Sequence, residues 1–177
     1  LLIITKGDSF RMQRMKTYKK YSLFFPERDL SDSGDADYQV RESLTALTSG
    51  GFLGTGMARG RAKHYYLPEA RTDYVFTIIG EETGYLGAML VFLLHSTLFF
   101  ASLKMANKQT DNYLKFLAAG MAMNIYCNVL VNTGVAMSIL PPTGNTLPFI
   151  SYGGSALLMD SIAVGVILNI SAQRRVL

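Results

Sequence analysis

Two carboxylates, Glu69 and Asp73, lie one helical repeat apart in the run Tyr65-Tyr66-Leu67-Pro68-Glu69-Ala70-Arg71-Thr72-Asp73-Tyr74, just ahead of a long apolar stretch. Asp73 borders apolar and aromatic residues, and loss of water raises the pKa of a carboxylate toward values that suit a general base. The same position suits a plainer task, capping of the following helix by Thr72 or Asp73; both readings stand on the residues alone. Glu81 and Glu82 follow. In a helix running from Asp73, Glu81 shares nearly the same face and Glu82 is turned away by about 100°. Charges at that depth face a bundle interior or a cavity, or anchor a neighbouring helix.

Arg59, Arg61, Lys63 and Arg71 flank a glycine-rich stretch holding Gly50, Gly51, Gly54, Gly56 and Gly60. Glycine exposes backbone amides, and amides beside cations suit a phosphate or pyrophosphate; a solvated loop or contact with anionic lipid is the alternative. Asn124, Asn128 and Asn132 recur every fourth residue, on one helical face. Such a ladder joins helices or lines a polar pathway. Asp160 stands alone in another apolar stretch, where it pairs with the amide face or lies on a pathway. Cys127 is the single cysteine, and His64 and His95 lack metal-ligand spacing, so no Cys/His metal centre is expected.

The elements that must carry these groups follow from charge segregation. The chain has 177 residues, 49% of them hydrophobic, with 17 Lys+Arg against 13 Asp+Glu and a mean hydropathy of +0.20. After Glu82 only Lys104, Lys108, Asp111, Lys115, Asp160, Arg174 and Arg175 are charged. A soluble domain spreads charge over its whole surface; this pattern predicts an all-α membrane protein, a polytopic helical bundle. Three spans of about 20 apolar residues are expected: 73–103 with its outer lead-in, 116–137 and 151–170. Residues 1–4, beginning Leu1-Leu2-Ile3-Ile4, are expected to end a preceding span, making the chain a C-terminal fragment. Lys104, Lys108 and Lys115 in loop 104–115, with Arg174 and Arg175 in tail 171–177, put those segments on the cytoplasmic side by the positive-inside rule. Loops 5–72 and 138–150 are then extracytoplasmic. Within the first, Asp8–Leu23 is expected as a basic surface helix and Tyr38–Thr48 as a short helix. Pro141, Pro142, Gly144 and Pro148 keep the second irregular, at the interface or dipping back into protein. No nucleic-acid partner is expected, since no recognised binding module is present.

Three stretches resemble the signatures of one family. They are Tyr66-Leu67-Pro68-Glu69-Ala70-Arg71-Thr72-Asp73-Tyr74-Val75-Phe76 with Ile78-Ile79-Gly80-Glu81-Glu82; Asn132-Thr133-Gly134-Val135 with Leu140-Pro141-Pro142-Thr143-Gly144; and Leu147-Pro148-Phe149-Ile150-Ser151-Tyr152-Gly153-Gly154-Ser155. Together they are similar to the SEDS family (shape, elongation, division and sporulation) of the FtsW/RodA type, and the Glu81-Glu82 context leans toward its division branch. The resemblance implies a bundle of about ten helices in the bacterial inner membrane. It implies polymerisation of lipid II into peptidoglycan glycan strands, beside a class B penicillin-binding protein and other division or elongation membrane proteins.

The family's essential aspartate falls on Asp73. The resemblance makes it the general base for an acceptor sugar hydroxyl, in an inverting transfer from a lipid-linked donor without a covalent intermediate. Glu69 and Arg71, with Ser151, Gly153 and Gly154 of the third signature, would shape the substrate site. Arg59, Arg61 or Lys63 would hold the leaving pyrophosphate, with a divalent ion such as Mg or Mn as the other source of positive charge. Glu81, Glu82, Asn128, Asn132 and Asp160 are then structural polar groups. Arg71 stands where the family usually has histidine, a permanent cation in place of a titratable ring. Two rivals remain: a lipid II flippase whose polar route is lined by Glu81, the asparagines and Asp160, and a non-catalytic scaffold. Three spans alone are expected to be inactive, lacking partners for their polar groups.

Overall fold

A computed structural model describes residues 34–56 and 74–173, together with Met15, Tyr18 and Tyr21. Four helices are defined among them: α1 (Gly34–Gly50), α2 (Val75–Ala106), α3 (Asn112–Ala136) and α4 (Gly154–Gln173). No strand occurs among the described residues. The last three helices are long and apolar enough to cross a membrane. The first of them ends three residues beyond 103 and the second starts four residues before 116, because Lys104 and Asp111 sit at helix ends where charge is tolerated. Lys104 occupies the last turn of α2, favourable to the helix dipole. Asp111 is the N-cap of α3, accepting from the backbone of Tyr113 at 2.9 Å, one of the donors a helix start leaves unsatisfied.

Helix α2 has 32 residues, about 48 Å at ~1.5 Å per residue, more than a bilayer core of ~30 Å requires. It is interrupted at Gly84, whose φ of 70° and ψ of −168° are not helical. Residues 85–106, after the break, are ~33 Å long, sufficient for one crossing. Helix α1 buries Val40, Ser43 and Ala46, an i, i+3 stripe, against α2, while α3 packs on both α2 and α4.

The interfaces among the long helices are lined by small side chains. Ala88, Ala106, Ala118, Ala122, Ala136 and Ala163 are buried, whereas Leu90, Leu94, Phe100, Phe116, Leu158 and Leu168 are exposed. Small residues let helix backbones approach closely in a bilayer, and the large apolar side chains are left to face lipid. The turn between α2 and α3 is tied to α4 by Gln109, whose Nε2 donates to the carbonyl of Ile170 at 2.9 Å.

The expected basic helix at Asp8–Leu23 is described only at Met15, Tyr18 and Tyr21, all helical. The Tyr18 hydroxyl donates to Ile139 O at 3.0 Å, tying that segment to the loop after α3. Loop 138–150 dips back into protein: Leu147 and Pro148 are almost fully buried.

Candidate functional site

Glu69, Arg71, Asp73, Arg59, Arg61 and Lys63 lie outside the described residues. Tyr74, the neighbour of Asp73 in sequence, is the N-cap of α2, with φ −109° and ψ 24° and no side-chain capping bond. The readings that placed Thr72 and Asp73 at the start of this helix fall on residues outside the described ones. Tyr74 is 3% exposed and clusters with Ala46 of α1, Ile78 of α2 and Val135 of α3.

One turn on, Ser43 Oγ and Thr77 Oγ1 are 2.7 Å apart, and Ser43 donates to Ala136 O at 3.1 Å. A hydroxyl has one proton, so Ser43 spends its own on Ala136 and accepts from Thr77. The carbonyl of Ala136 is among the last four of α3, which a helix cannot satisfy internally. One buried serine thus joins three helices beside the start of α2. Sequence reasoning passed over it; the signal was a serine within the Val40, Ser43, Ala46 stripe.

The glycine-rich loop after α1 is stitched into the break of α2. Thr55 N and Gly56 N donate to Glu81 O and Glu82 O at 2.9 and 3.1 Å, and Tyr85 N and Leu86 N donate to Gly51 O and Phe52 O at 3.0 and 3.4 Å. Thr55 Oγ1 also donates to Glu81 O. A helix break leaves carbonyls and amides without i−4 partners, and a backbone group unpaired in an apolar setting is costly. The loop supplies those partners. A Cβ on Gly84 would strike Gly54 N and Phe52 O, and one on Gly54 would strike Glu82 O. The amides of Gly54, Thr55 and Gly56 are used within the chain and so are not free for a phosphate; Gly60 lies outside the described residues. Glu81 is 3% exposed and Glu82 half-buried, both at this junction.

The second irregular segment follows α3. Ser138 has φ 55° and Phe149 φ 62°, values that L-residues adopt at a cost of about 1–2 kcal/mol each. Side chains hold the segment in place. Asn132 Nδ2 donates to Asn145 O at 2.6 Å, and Ser151 Oγ accepts from Leu147 N at 2.8 Å. His95 Nε2 is 3.2 Å from Pro148 O, and Asp160, 8% exposed, accepts a hydrogen bond from the backbone of Phe149. Asp160 therefore holds the loop rather than the amide face.

The asparagine ladder divides. Asn132 is buried, Asn128 half-buried and Asn124 exposed, so only the first acts as an anchor within the described bundle. Ser151 is committed to the loop; Gly153 accepts from Leu157 N at 2.9 Å and Gly154 opens α4. The contact of His95 with Pro148 has no counterpart in the sequence expectations; the polar trio His95-Ser96-Thr97 amid an apolar run is the signal for it. Among the described residues no group of three or more His, Cys, Asp or Glu side chains is placed to hold a metal.

Comparison with known proteins gives this arrangement a context. The family model for FtsW, RodA and SpoVE, described as cell cycle protein, matches residues 2–176. Stage V sporulation protein E of Bacillus subtilis is 40% identical over 166 residues, covering 94% of this chain and 43% of that protein. A probable peptidoglycan glycosyltransferase FtsW of a Geobacter species is 37% identical over 174 residues, covering 98% of this chain and 45% of that protein. The chain spans about half the length of the curated relatives it matches. A solved chain from work on the structural coordination of polymerization and crosslinking by a peptidoglycan synthase complex shares the fold. Its TM-score is 0.64 at 22% identity, over 98% of this chain and 49% of that one. From the match across nearly its whole length, the chain belongs to the FtsW/RodA/SpoVE family of membrane-embedded cell cycle proteins.

Proposed function

We propose that this chain supplies the large extracytoplasmic loop and the last three spans of a peptidoglycan glycosyltransferase in the bacterial inner membrane. Its substrate is lipid II, and it works beside a class B penicillin-binding protein that cross-links the strands. The observation that carries the reading is the family match across residues 2–176, joined to relatives named as probable peptidoglycan glycosyltransferases.

In this reading Asp73 takes the proton from the acceptor sugar hydroxyl as it attacks the donor's anomeric carbon, and configuration inverts without a covalent intermediate. Lipid pyrophosphate leaves with its charge met by Arg59, Arg61 or Lys63. A divalent ion such as Mg or Mn is the alternative source of that charge, and the carboxylates of Glu69 and Asp73 are oxygen ligands of the type such ions prefer. Glu69, Arg71, Ser151, Gly153 and Gly154 shape the substrate site.

The structure supports the placement in one respect. Tyr74, the residue after Asp73, is buried, and one turn on Thr77 is joined through Ser43 to the end of α3, a rigid base of the kind a catalytic group needs. Two of the polar side chains that a flippase route would use are engaged within the bundle, Asn132 with Asn145 and Asp160 with Phe149.

The test is incubation of the purified protein and its penicillin-binding partner with labelled lipid II, with transpeptidation blocked. Glycan strands are expected. Lipid II moved across a vesicle membrane with no strands formed would overturn the polymerase reading in favour of transport.

A further inference from the structure

Phe52 and Leu53 stand out from the loop after α1 with 64% and 77% of their surface exposed. That loop is held chiefly by main-chain bonds to the break of α2, and nothing in such bonds calls for an apolar side chain at either position. We propose that Phe52 and Leu53, with Tyr85 beside them, form a wedge that enters the boundary between headgroups and acyl chains of the bilayer. The wedge fixes the depth of α2 and of the loop joined to it.

Exposure along α2 changes at the break. From Val75 to Gly84 no residue is exposed. Ile78 clusters there with Ala46 of α1 and Val135 of α3, and Phe76 with Val129 and Ala136 of α3. After the break an exposed apolar row begins, formed by Tyr85, Leu86, Leu90, Leu93, Leu94 and Phe100. Its spacing keeps it on one helical face. Protein therefore covers the helix ahead of Gly84, and the face beyond is left to lipid.

The length of that face sets its depth. Lys104 is exposed near the far end of α2, and the helix rises about 28 Å from Tyr85 to Lys104. The hydrocarbon core of a bilayer is ~30 Å thick. Lysine belongs at one water boundary of a span and tyrosine suits the other, so the break lies at the boundary opposite Lys104. The loop lies at the same level, because Tyr85 N and Leu86 N donate to Gly51 O and Phe52 O.

The rings of Phe52 and Tyr85 are stacked, 6.0 Å between centroids and 20° between planes, within the range where aromatic pairs attract. Loop and span thereby present one apolar surface. Helix α1 instead turns Arg41, Thr45 and Thr48 outward, groups that suit water. An apolar patch with polar neighbours marks a protein or a membrane contact. Continuity with the lipid-facing row of α2 selects the membrane. The wedge rests on the spans alone and stands apart from the chemistry assigned to Asp73.

Tryptophan fluorescence in nanodiscs tests it. The chain has no tryptophan, so Phe52→Trp and Leu53→Trp each add one indole, read as the difference from the wild-type protein. Thr48→Trp is the comparison on the polar face of α1. Phospholipids brominated near the headgroup end of their chains are expected to quench Phe52→Trp and Leu53→Trp severalfold more than aqueous iodide does. For Thr48→Trp the order is reversed. Iodide quenching of both wedge variants as strong as that of Thr48→Trp would place the loop in water and overturn the proposal. Blue-shifted emission reached by neither quencher would mean that protein covers the patch, which also overturns it. Bromolipid quenching equal at all three positions would put α1 itself in lipid and contradict a boundary at the break.

Discussion

Among the described residues, the irregular segments after α1 and after α3 are held in different ways. Residues 51–56 are fixed by main-chain bonds into the break of α2, with Thr55 Oγ1 adding one side-chain bond. Residues 137–140 are bonded back to the end of α3 through the main chain. The stretch beyond them is held by side chains reaching from three helices, His95 from α2, Asn132 from α3 and Asp160 from α4, besides a main-chain turn at Leu147. Both answer the same demand, that backbone groups within a membrane protein find partners in the protein itself. A main-chain seam depends on space, so it is written in glycines and is indifferent to most side-chain chemistry. A side-chain clamp depends on the identity of a few polar residues far away in sequence. The first is brittle to any added atom at the seam, and the second is sensitive at its anchors but tolerant along the loop.

The strongest way to break this comparison is to add atoms to the seam. Gly84→Val places a Cβ against Gly54 and Phe52 backbone in a conformation open essentially to glycine alone. A loss of about 3 kcal/mol or more is expected, read as a collapse of thermal stability in detergent or nanodiscs. A variant that melts like wild type would show that the seam is not closed.

At the clamp, Asn132→Leu removes a buried donor to Asn145 O and should cost about 1–3 kcal/mol. Here hydrogen exchange should rise within 141–151 while residues 51–56 stay protected, since the two segments have separate anchors. Equal loosening of both would mean that they are one unit.

Ser43→Ala leaves the Ala136 carbonyl and the Thr77 hydroxyl without their shared partner. A loss of about 1–2 kcal/mol is expected by chemical or thermal unfolding. Because this serine joins α1, α2 and α3 next to Tyr74, polymerisation should fall further than stability alone explains. The smallest effect belongs to Ser151→Ala, which frees one backbone amide within a tight turn, about 1 kcal/mol by the same measurement.

Much of the architecture was legible in the residues. The segregation of charge predicted three spans, and the prolines after Met137 predicted an irregular segment, because both signals depend on composition and on the missing N–H of proline. The break at Gly84 was not legible. A glycine in an apolar helix reads as a weak helix former, and only the approach of the loop at Gly54 shows why the helix must open there. The functions of His95 and Asp160 were hidden for a related reason. They lie 65 residues apart and converge on one peptide contributed by a third element, and no periodicity in the sequence reports such a meeting. The Ser43 contact likewise needed the end of α3 to be brought beside α1.

In the proposed mechanism Asp73 performs the chemistry, while Asp160, the one carboxylate within the later spans, holds structure. The most direct measurement compares glycan polymerisation from lipid II by the wild-type protein, Asp73→Asn and Asp160→Asn, each with its penicillin-binding partner and at matched folded amounts judged by melting curves. The account predicts that Asp73→Asn abolishes strands while melting like wild type, and that Asp160→Asn melts lower yet retains strands in proportion to the protein that remains folded. Strands made by Asp73→Asn at the wild-type rate would contradict it.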